Sequence, residues 1–151
     1  MGIEENKKTL QRYFDELMNK QDYSRTDEIL HEDYTGAALG GLKGFEGHKQ
    51  YVKQLHSAFS DYSVKTLDMI AEGDKISVFL EASGTHDGNF YGIPPTGANF
   101  SIKQASVYEL KDGKVYRGLS MSVMDQLTLF QQLGVFPTVP EAVKAYNESK
   151  K

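Results

Sequence analysis

The 151-residue chain contains no cysteine, no tryptophan and only four prolines. Without cysteine there is no disulfide, no thiolate nucleophile and no Cys-ligated metal, a composition compatible with a reducing cytosol. No apolar run approaches the length that spans a membrane, and the amino terminus lacks the apolar core of a signal peptide. We therefore expect a cytoplasmic protein with no membrane partner.

An excess of charge of one sign is also missing, since 17 Lys and Arg stand against 21 Asp and Glu. A chain without a basic excess has no electrostatic drive toward nucleic acid, so no nucleic-acid partner is expected. The four histidines are scattered and show no ligand spacing such as His-x-x-x-His, so we predict no metal site. The length fits one domain, residues 1–151, that buries roughly two-thirds of its unfolded surface.

Apolar residues at helical spacing predict three helices in the first sixty residues. The first covers about residues 4–20, with its apolar face formed by Leu10, Tyr13, Phe14, Leu17 and Met18. A short second helix is predicted to start at Ser24, with Asp27 as its capping-box partner, and to break near Asp33. A glycine-rich loop then leads to a third helix over about 45–59.

From residue 62 the apolar residues alternate, which predicts a run of antiparallel strands over 62–71, 76–85, 98–110 and 115–124. Helices first and a long antiparallel sheet afterwards predict an α+β fold. In this fold the curved sheet wraps around the N-terminal helices as a cone, with an apolar pocket at its open end.

Three further segments complete the predicted organisation. The connection 85–97 is expected to be an ordered loop, because it is rich in glycine and proline. The segment 126–133 is expected to be a helix that ends at Gly134. Residues 135–151 form a C-terminal extension, in which Pro140 is well placed to open a short last helix.

Asp125 is the strongest candidate for chemistry, because it closes a row of alternate apolar residues, Leu119, Met121 and Val123. A carboxyl group that faces an apolar cavity loses water, which raises its pKa toward the range of a general acid/base. Met121 and Val123 would then contact the ligand. In the alternative, Asp125 caps the helix that starts at Gln126; the two roles are compatible.

Further polar residues are candidates at the same pocket. His86 continues the alternating row of the second strand and is a second catalytic candidate, although it could instead hold the 85–97 loop in shape. Gln104 and Ser106 share a strand face with Tyr108 and could orient a substrate carbonyl, unless that face is the solvent side.

Aromatic residues offer hydroxyl groups to a ligand. Tyr13, Tyr34 and Tyr51 are candidates for substrate binding, although aromatic residues at helical spacing are more often core. His48 lies on the buried side of the third helix and is interpreted as a core histidine.

Four groups of residues carry a family resemblance that extends over about residues 6–137. They are Ala58-Phe59-Ser60-Asp61-Tyr62, then Ala71-Glu72-Gly73-Asp74, then Ser83 to Gly88 with Gly92 to Gly97, and Asp112-Gly113-Lys114 followed by Gln132-Leu133-Gly134. In this order and spacing the chain resembles the SnoaL-like polyketide cyclase, or ester cyclase, branch of the NTF2-like superfamily.

This resemblance implies a cone-shaped homodimer with a deep pocket for a small apolar ligand that carries a carbonyl group. The implied reaction is an intramolecular aldol closure without metal or organic cofactor, in which a pocket aspartate is the general acid/base. Asp125 occupies the matching position. The chain departs from the family at Thr35-Gly36-Ala37-Ala38, where many relatives have a polar residue, and at Gly118, where a bulge is expected and a frequent tryptophan is missing.

The sequence leaves the class of function open among three possibilities. The first is a cyclase-type enzyme that uses Asp125 on an apolar carbonyl compound. The second is a protein that binds a hydrophobic molecule without chemistry. The third is an isomerase or hydrolase in the same pocket, which would need a second carboxylate, and Glu81 is the strand residue available for it.

Overall fold

The structure, a computed structural model, describes residues 2–36, 41–119 and 126–151. A curved six-stranded sheet packs on helices from the first third of the chain, which confirms the predicted α+β class. The helices are α1 (Ile3–Arg12), α2 (Thr26–Ile29), α3 (Gly44–Ala58), α4 (Gln126–Gln132) and α5 (Val139–Ser149). The strands are β1 (Leu30–Gly36), β2 (Leu42–Lys43), β3 (Ser63–Glu72), β4 (Lys75–Thr85), β5 (Asn99–Lys111) and β6 (Lys114–Gly118). Their order across the sheet is β2-β1-β6-β5-β4-β3, and the β1–β6 pair is parallel whereas the other described pairs are antiparallel.

The first predicted helix changes its winding at Tyr13. Helix α1 continues as a π-helix, Tyr13–Asn19, and at its end the Lys20 N–H donates to Asp15 O, five residues back, at 3.2 Å. The residues that the wider turn buries are Tyr13, Phe14, Leu17 and Met18. π-helical segments are rare and occur frequently at functional sites. The backbone conformation is therefore a second reason, besides the side chain, to consider Tyr13 a candidate site residue.

The predicted start of the second helix is wrong. Helix α2 begins at Thr26, and Arg25 before it makes no side-chain capping bond. The Ser24 N–H and hydroxyl instead donate to Asp22 Oδ1 at 3.0 and 2.6 Å, so a local turn uses the group that was expected to cap the helix.

Residues 30–36 form a strand where the sequence predicts the end of a helix and a loop. Leu30 and Tyr34 are buried and the residues between them are less so, which means that burial recurs every fourth residue rather than every second. This spacing accompanies a register shift of β1 against β6 between Leu30 and Thr35. Strand β2 pairs with the end of β1, with Lys43 opposite Thr35.

The strands β3, β4 and β5 and the start of β6 follow the predicted strands to within one residue. Strand β6 ends at Gly118, and residues 120–124 of the last predicted strand lie outside the described part. Alternate residues of β4 and β5 form the inner face of the sheet. The buried members are Ile76, Val78, Leu80, Ala82, Gly84, Phe100, Ile102, Ser106, Tyr108 and Leu110.

The bulge predicted at Gly118 lies two residues earlier. In β6, Val115 pairs with Leu110 and Arg117 pairs with Glu109. Tyr116 is therefore one extra residue without a partner in β5. The extra residue restores Gly118 to the inner face, opposite Tyr108.

The loop after β4 is docked onto the end of α3. The backbone N–H groups of Asp87 and Gly88 both donate to Ala58 O, at 3.1 and 3.0 Å. A Cβ atom at Gly88 would lie 1.8 Å from Ser57 O, so only glycine permits this approach. The loop is therefore ordered, as the sequence predicts, and its position is set by α3.

Helix α4 lies against β5 and extends its hydrogen bonding. The Ser101 N–H donates to Gln132 Oε1 at 2.8 Å and Gln132 Nε2 donates to Ser101 O at 3.1 Å, so one side-chain amide occupies the place of a neighbouring strand. Helix α5 is capped by Thr138 with Glu141, and all of its residues are exposed. Within the described part of the chain, no helix has both the length and the apolar composition to cross a membrane.

Candidate functional site

Three buried polar side chains form a hydrogen-bonded row inside the cone. Tyr13 Oη lies 3.3 Å from Tyr34 Oη and 3.1 Å from His48 Nε2, so the π-helix, β1 and α3 each contribute one member. All three side chains are buried. We call Tyr34, Tyr13 and His48 the inner row.

Aromatic rings surround the inner row. The ring of Tyr108 lies 5.5 Å from that of Tyr13, and the ring of Tyr34 lies 5.4 Å from that of His48, measured between centroids. Burial raises the pKa of Tyr13, Tyr34 and Tyr108 above the ordinary value of 10.0. Their hydroxyl groups therefore stay protonated at neutral pH and can donate hydrogen bonds.

His48 is neutral in this environment. Burial lowers the pKa of His48 to about 4, from the ordinary value of 6.5. Nε2 is occupied by Tyr13, whereas Nδ1 is buried and has no hydrogen-bond partner among the described residues. A neutral imidazole accepts at one nitrogen and donates at the other, so one hydrogen-bonding atom of His48 remains available.

Gln104 and Ser106 lie on the inner face of β5. Ser106 is 3% exposed, and the outward residue Val107 is 37% exposed, so the alternative that this face is the solvent side is wrong. Gln104 Oε1 is buried without a partner in the described part of the chain. Because buried polar atoms are nearly always satisfied, Gln104 is suited to receive a hydrogen bond from a ligand or a water molecule.

Tyr51 stands between the inner row and the surface. The residue is half-buried and packs against the core. Burial raises its pKa, and the tyrosines Tyr91 and Tyr34 raise it further, which places Tyr51 near both. Tyr51 also lines an open groove between α3 and the loop after β4.

Gly118 leaves space beside the inner row. A Cβ atom at this position would lie 3.6 Å from Tyr34 Oη and 3.7 Å from Tyr108 Cε1. A large side chain at residue 118 would therefore cover the Tyr34 hydroxyl. With glycine there, no side chain of residue 118 stands against that hydroxyl.

His86 lies in a different part of the cone. Its Nδ1 accepts a hydrogen bond from Thr96, with Oγ1 at 3.0 Å and the backbone nitrogen at 3.3 Å. Leu80, which pairs with Gln104, is six residues from His86 along the chain, roughly 20 Å at the rise of a strand. These contacts are those of a residue that holds the loop after β4, and the predicted catalytic role of His86 stays a prediction.

Three predicted site residues, Asp125, Met121 and Val123, lie outside the described residues. Helix α4 begins directly after Asp125, at Gln126. Among the described residues, no group of three or more His, Asp or Glu side chains is arranged to hold a metal ion.

Two contacts within the site are not indicated by the sequence pattern. Tyr108 is recognisable by its phase with Gln104 and Ser106, but its contact with Tyr13 joins residues that are far apart in the chain. His48 is predicted as a core residue from its helical spacing, and that burial is confirmed, yet no local signal indicates its bond to Tyr13.

The inner row offers neutral hydrogen-bond donors in apolar surroundings. Such groups stabilise negative charge on an oxygen atom as it develops, because they are already oriented and compete with little water. The row itself contains no carboxylate and no cationic group. A proton abstraction at this site therefore needs a base from elsewhere in the chain, and the tyrosine hydroxyls can stabilise the oxyanion that results.

Comparison of the sequence with known families and curated proteins gives a consistent picture. The profile of the family described as SnoaL-like polyketide cyclase matches residues 8–133. The aklanonic acid methyl ester cyclase DauD of Streptomyces sp. (strain C5) is 32% identical over 117 residues, which cover 75% of this chain and 71% of that protein. The nogalonic acid methyl ester cyclase of Streptomyces nogalater is 29% identical over 93 residues, 59% of this chain and 69% of that protein.

Solved structures agree on the fold. TsrD from Streptomyces laurentii superposes with a TM-score of 0.80 at 26% identity, over 90% of this chain and 99% of that chain. The predicted cone, a curved sheet on N-terminal helices, is confirmed by this likeness.

Proposed function

Because the chain belongs to the SnoaL-like polyketide cyclase family, we propose that it closes a ring in a polyketide methyl ester by an intramolecular aldol reaction. Its relatives are polyketide ester cyclases, which supports a cyclase-type function. The observation that carries the proposal is the inner row, a set of neutral donors held in the apolar interior. The proposed ligand is a small, mostly apolar ester, and the proposed reaction uses no metal or organic cofactor.

The reaction requires two proton transfers and one new carbon–carbon bond. The Asp125 carboxylate, proposed from its family position, takes a proton from a carbon next to a carbonyl group. The resulting enolate carbon attacks a second carbonyl carbon of the same molecule, and the protonated acid returns the proton to the new alkoxide. All atoms are conserved, so the product is an isomer of the substrate.

The proposed role of the inner row is to hold the oxygen atom that becomes charged. Tyr34 lies at the end of the row and beside the space left by Gly118. Its hydroxyl would donate to the enolate oxygen, while Tyr13 and His48 fix its orientation. This division of labour needs only one ionisable catalytic group, Asp125.

Turnover of the esters named in the relatives tests the proposal. We expect the protein to convert aklanonic acid methyl ester or nogalonic acid methyl ester into a cyclised product of the same mass, with or without EDTA. The Tyr34→Phe variant should lower kcat about tenfold or more with little change in KM, because a donor to a developing charge is lost. Chromatography with mass detection measures both results.

The exposed residue Tyr146, on α5, provides the matched control, since Tyr146→Phe should behave as wild type. Binding of these esters by the wild-type protein without conversion would identify a binding protein instead of a cyclase. A kcat of Tyr34→Phe equal to that of wild type would remove the inner row from the mechanism.

We also propose that two copies associate through the outer face of the sheet. Ile70, Phe79 and Val107 are exposed on three adjacent strands, by 61%, 39% and 37%. On the same face Glu81 pairs across the strands with Lys103. An apolar strip beside charges of both signs is suited to a second copy related by a two-fold axis, because each charge can meet its opposite.

Light scattering after gel filtration should therefore give a mass twice the 16.9 kDa of the chain. Phe79→Glu is expected to convert the dimer into a monomer, because a charge would be buried without a partner. Val143→Glu introduces the same charge on exposed α5 and should leave the dimer intact. The opposite pattern would move the interface to α5.

A further inference from the structure

An open groove lies between α3 and the loop that follows β4. Its volume is about 580 Å³, within the range of sites that bind small molecules. One wall is formed by Gln50, Tyr51 and Gln54 of α3, and the opposite wall by Phe90 and Tyr91. We call it the α3 groove.

The backbone holds Tyr91 in the wall against its own preference. Its φ is 50°, in the left-handed region, which costs a residue with a Cβ atom roughly 1–2 kcal/mol. A tight turn maintains this conformation, since the backbones of Phe90 and Ile93 exchange hydrogen bonds of 3.0 and 2.9 Å and the Gly92 N–H donates to Asn89 Oδ1 at 2.9 Å. Strained residues of this kind concentrate at functional sites, where the surrounding structure keeps them in place.

The distance between the two walls is also fixed by the backbone. The loop meets α3 through the hydrogen bonds of Asp87 and Gly88 to Ala58 O, and Gly88 allows that contact because it has no side chain. Tyr91 is 54% exposed although it is held by this ordered turn. An exposed aromatic residue whose backbone is already fixed loses less conformational freedom when it contacts a ligand.

Tyr51 belongs both to the lining of the groove and to the packing around the core. Its electrostatic neighbours are Tyr91 in the groove and Tyr34 in the inner row. An extended molecule whose distal end lies in the groove along Tyr51 would have its reactive end directed to Tyr34.

The lining defines the chemistry of the ligand. The faces of Tyr51 and Tyr91 suit a flat aromatic ring. The amides of Gln50 and Gln54 suit hydroxyl or carbonyl oxygens, and the ammonium group of Lys53 at the same groove suits an acidic oxygen. We propose that the α3 groove binds the flat, oxygenated aromatic end of an extended ligand, and that Tyr91 is a residue that determines specificity for it. The inference rests on the proposed function only for the identity of the whole substrate.

The test uses methyl anthracene-9-carboxylate, a flat fluorescent ester that has no enolisable carbon and so cannot be cyclised. Fluorescence titration should show that the wild-type protein binds it. Tyr91→Ala should weaken binding about tenfold, because stacking on one aromatic face is lost. Gln54→Trp, which fills the groove from α3, should weaken binding by at least as much, and Tyr146→Ala on α5 should bind as wild type does.

The outcomes separate this inference from the proposed function. Failure of the wild-type protein to bind the probe, or binding by both groove variants within twofold of wild type, would overturn the groove assignment even if polyketide esters are cyclised. Weakened probe binding in both variants would support the groove even if no ester is turned over. Gln54 is exposed, so this variant remains informative if Tyr91→Ala disturbs the turn.

Discussion

Asp125→Asn is expected to lower kcat for ring closure by about 100-fold to 10,000-fold, the usual contribution of a positioned general acid/base. The affinity for the ester should stay within a few-fold, because the amide has nearly the size and shape of the carboxyl group. The inner row supplies donors that are neutral at pH 7 and no base. If the aldol mechanism holds, the loss of the only proposed base therefore cannot be compensated by the inner row.

The same substitution separates catalysis from helix capping. Asparagine and aspartate are about equally good N-cap residues, so Asp125→Asn should leave the thermal unfolding midpoint nearly unchanged. Asp125→Ala removes both the acid and the capping group, and should add a loss of about 0.5–2 kcal/mol in the free energy of unfolding. Equal activity of the Asn variant and wild type, with reduced stability only in the Ala variant, would identify Asp125 as a cap alone.

A matched control is available in the turn between β5 and β6. Asp112 is an exposed aspartate in that turn with a φ of 53°, a conformation that asparagine also tolerates. Asp112→Asn makes the same chemical change away from the inner row. Its kcat should equal that of wild type, and a comparable loss there would mean that the effect at Asp125 is not specific to the site.

The elements with a clear period were predictable from the sequence. The strands of the meander alternate cleanly because one face packs on the helices and the other meets water, as Val78, Leu80 and Ala82 show in β4. Strand β1 was not predictable, since it is buried at Leu30 and Tyr34 and shifts its register between them. A strand is recognised in the sequence by apolar residues at every second position, and β1 lacks this alternation.

In the site, the residues themselves were predictable from their types, but the contacts between them were not. Tyr13, Tyr34 and Tyr51 were identified because a tyrosine near an apolar interior offers a hydroxyl group, and the structure places Tyr13 and Tyr34 in the inner row. The choice of His48 as their partner depends on how α3 packs across the π-helix, which no local pattern encodes. Likewise, Tyr91 faces α3 only because the loop is docked through Gly88.

The inner row is neutral, and the proposed acid/base is a separate residue. Burial keeps the inner-row tyrosines protonated and His48 uncharged. An interior of this kind binds an apolar ester without strong ion pairing, and its donors act when negative charge develops on the ligand. The proposed mechanism accordingly assigns the only charged catalytic group to residue 125, immediately before α4 in the sequence.

Protonation of His48 is expected to destabilise the protein as the pH falls from 6.5 toward 4. Burial lowers the pKa of His48 to about 4 from 6.5. Between these values the unfolded chain binds a proton that the folded protein does not, so the stability is fully present above pH 6.5 and decreases below it. From pH 7 to pH 5 the free energy of unfolding should decrease by about 2 kcal/mol from this residue alone.

Urea denaturation at pH 7 and pH 5 measures the difference in the free energy of unfolding between these two values. His48→Gln should reduce that difference by about 2 kcal/mol, and the glutamine amide can still form a hydrogen bond with Tyr13. Tyr146→Phe, at an exposed residue of α5, is the control and should keep the wild-type difference. The tyrosines that face His48 stay neutral across this range. Asp87 contributes outside it, because its hydrogen bonds with Ser60 lower its pKa from 3.8. An unchanged pH dependence in His48→Gln would mean that the imidazole is charged or hydrated in the folded protein, and the inner row would then lose its neutral character.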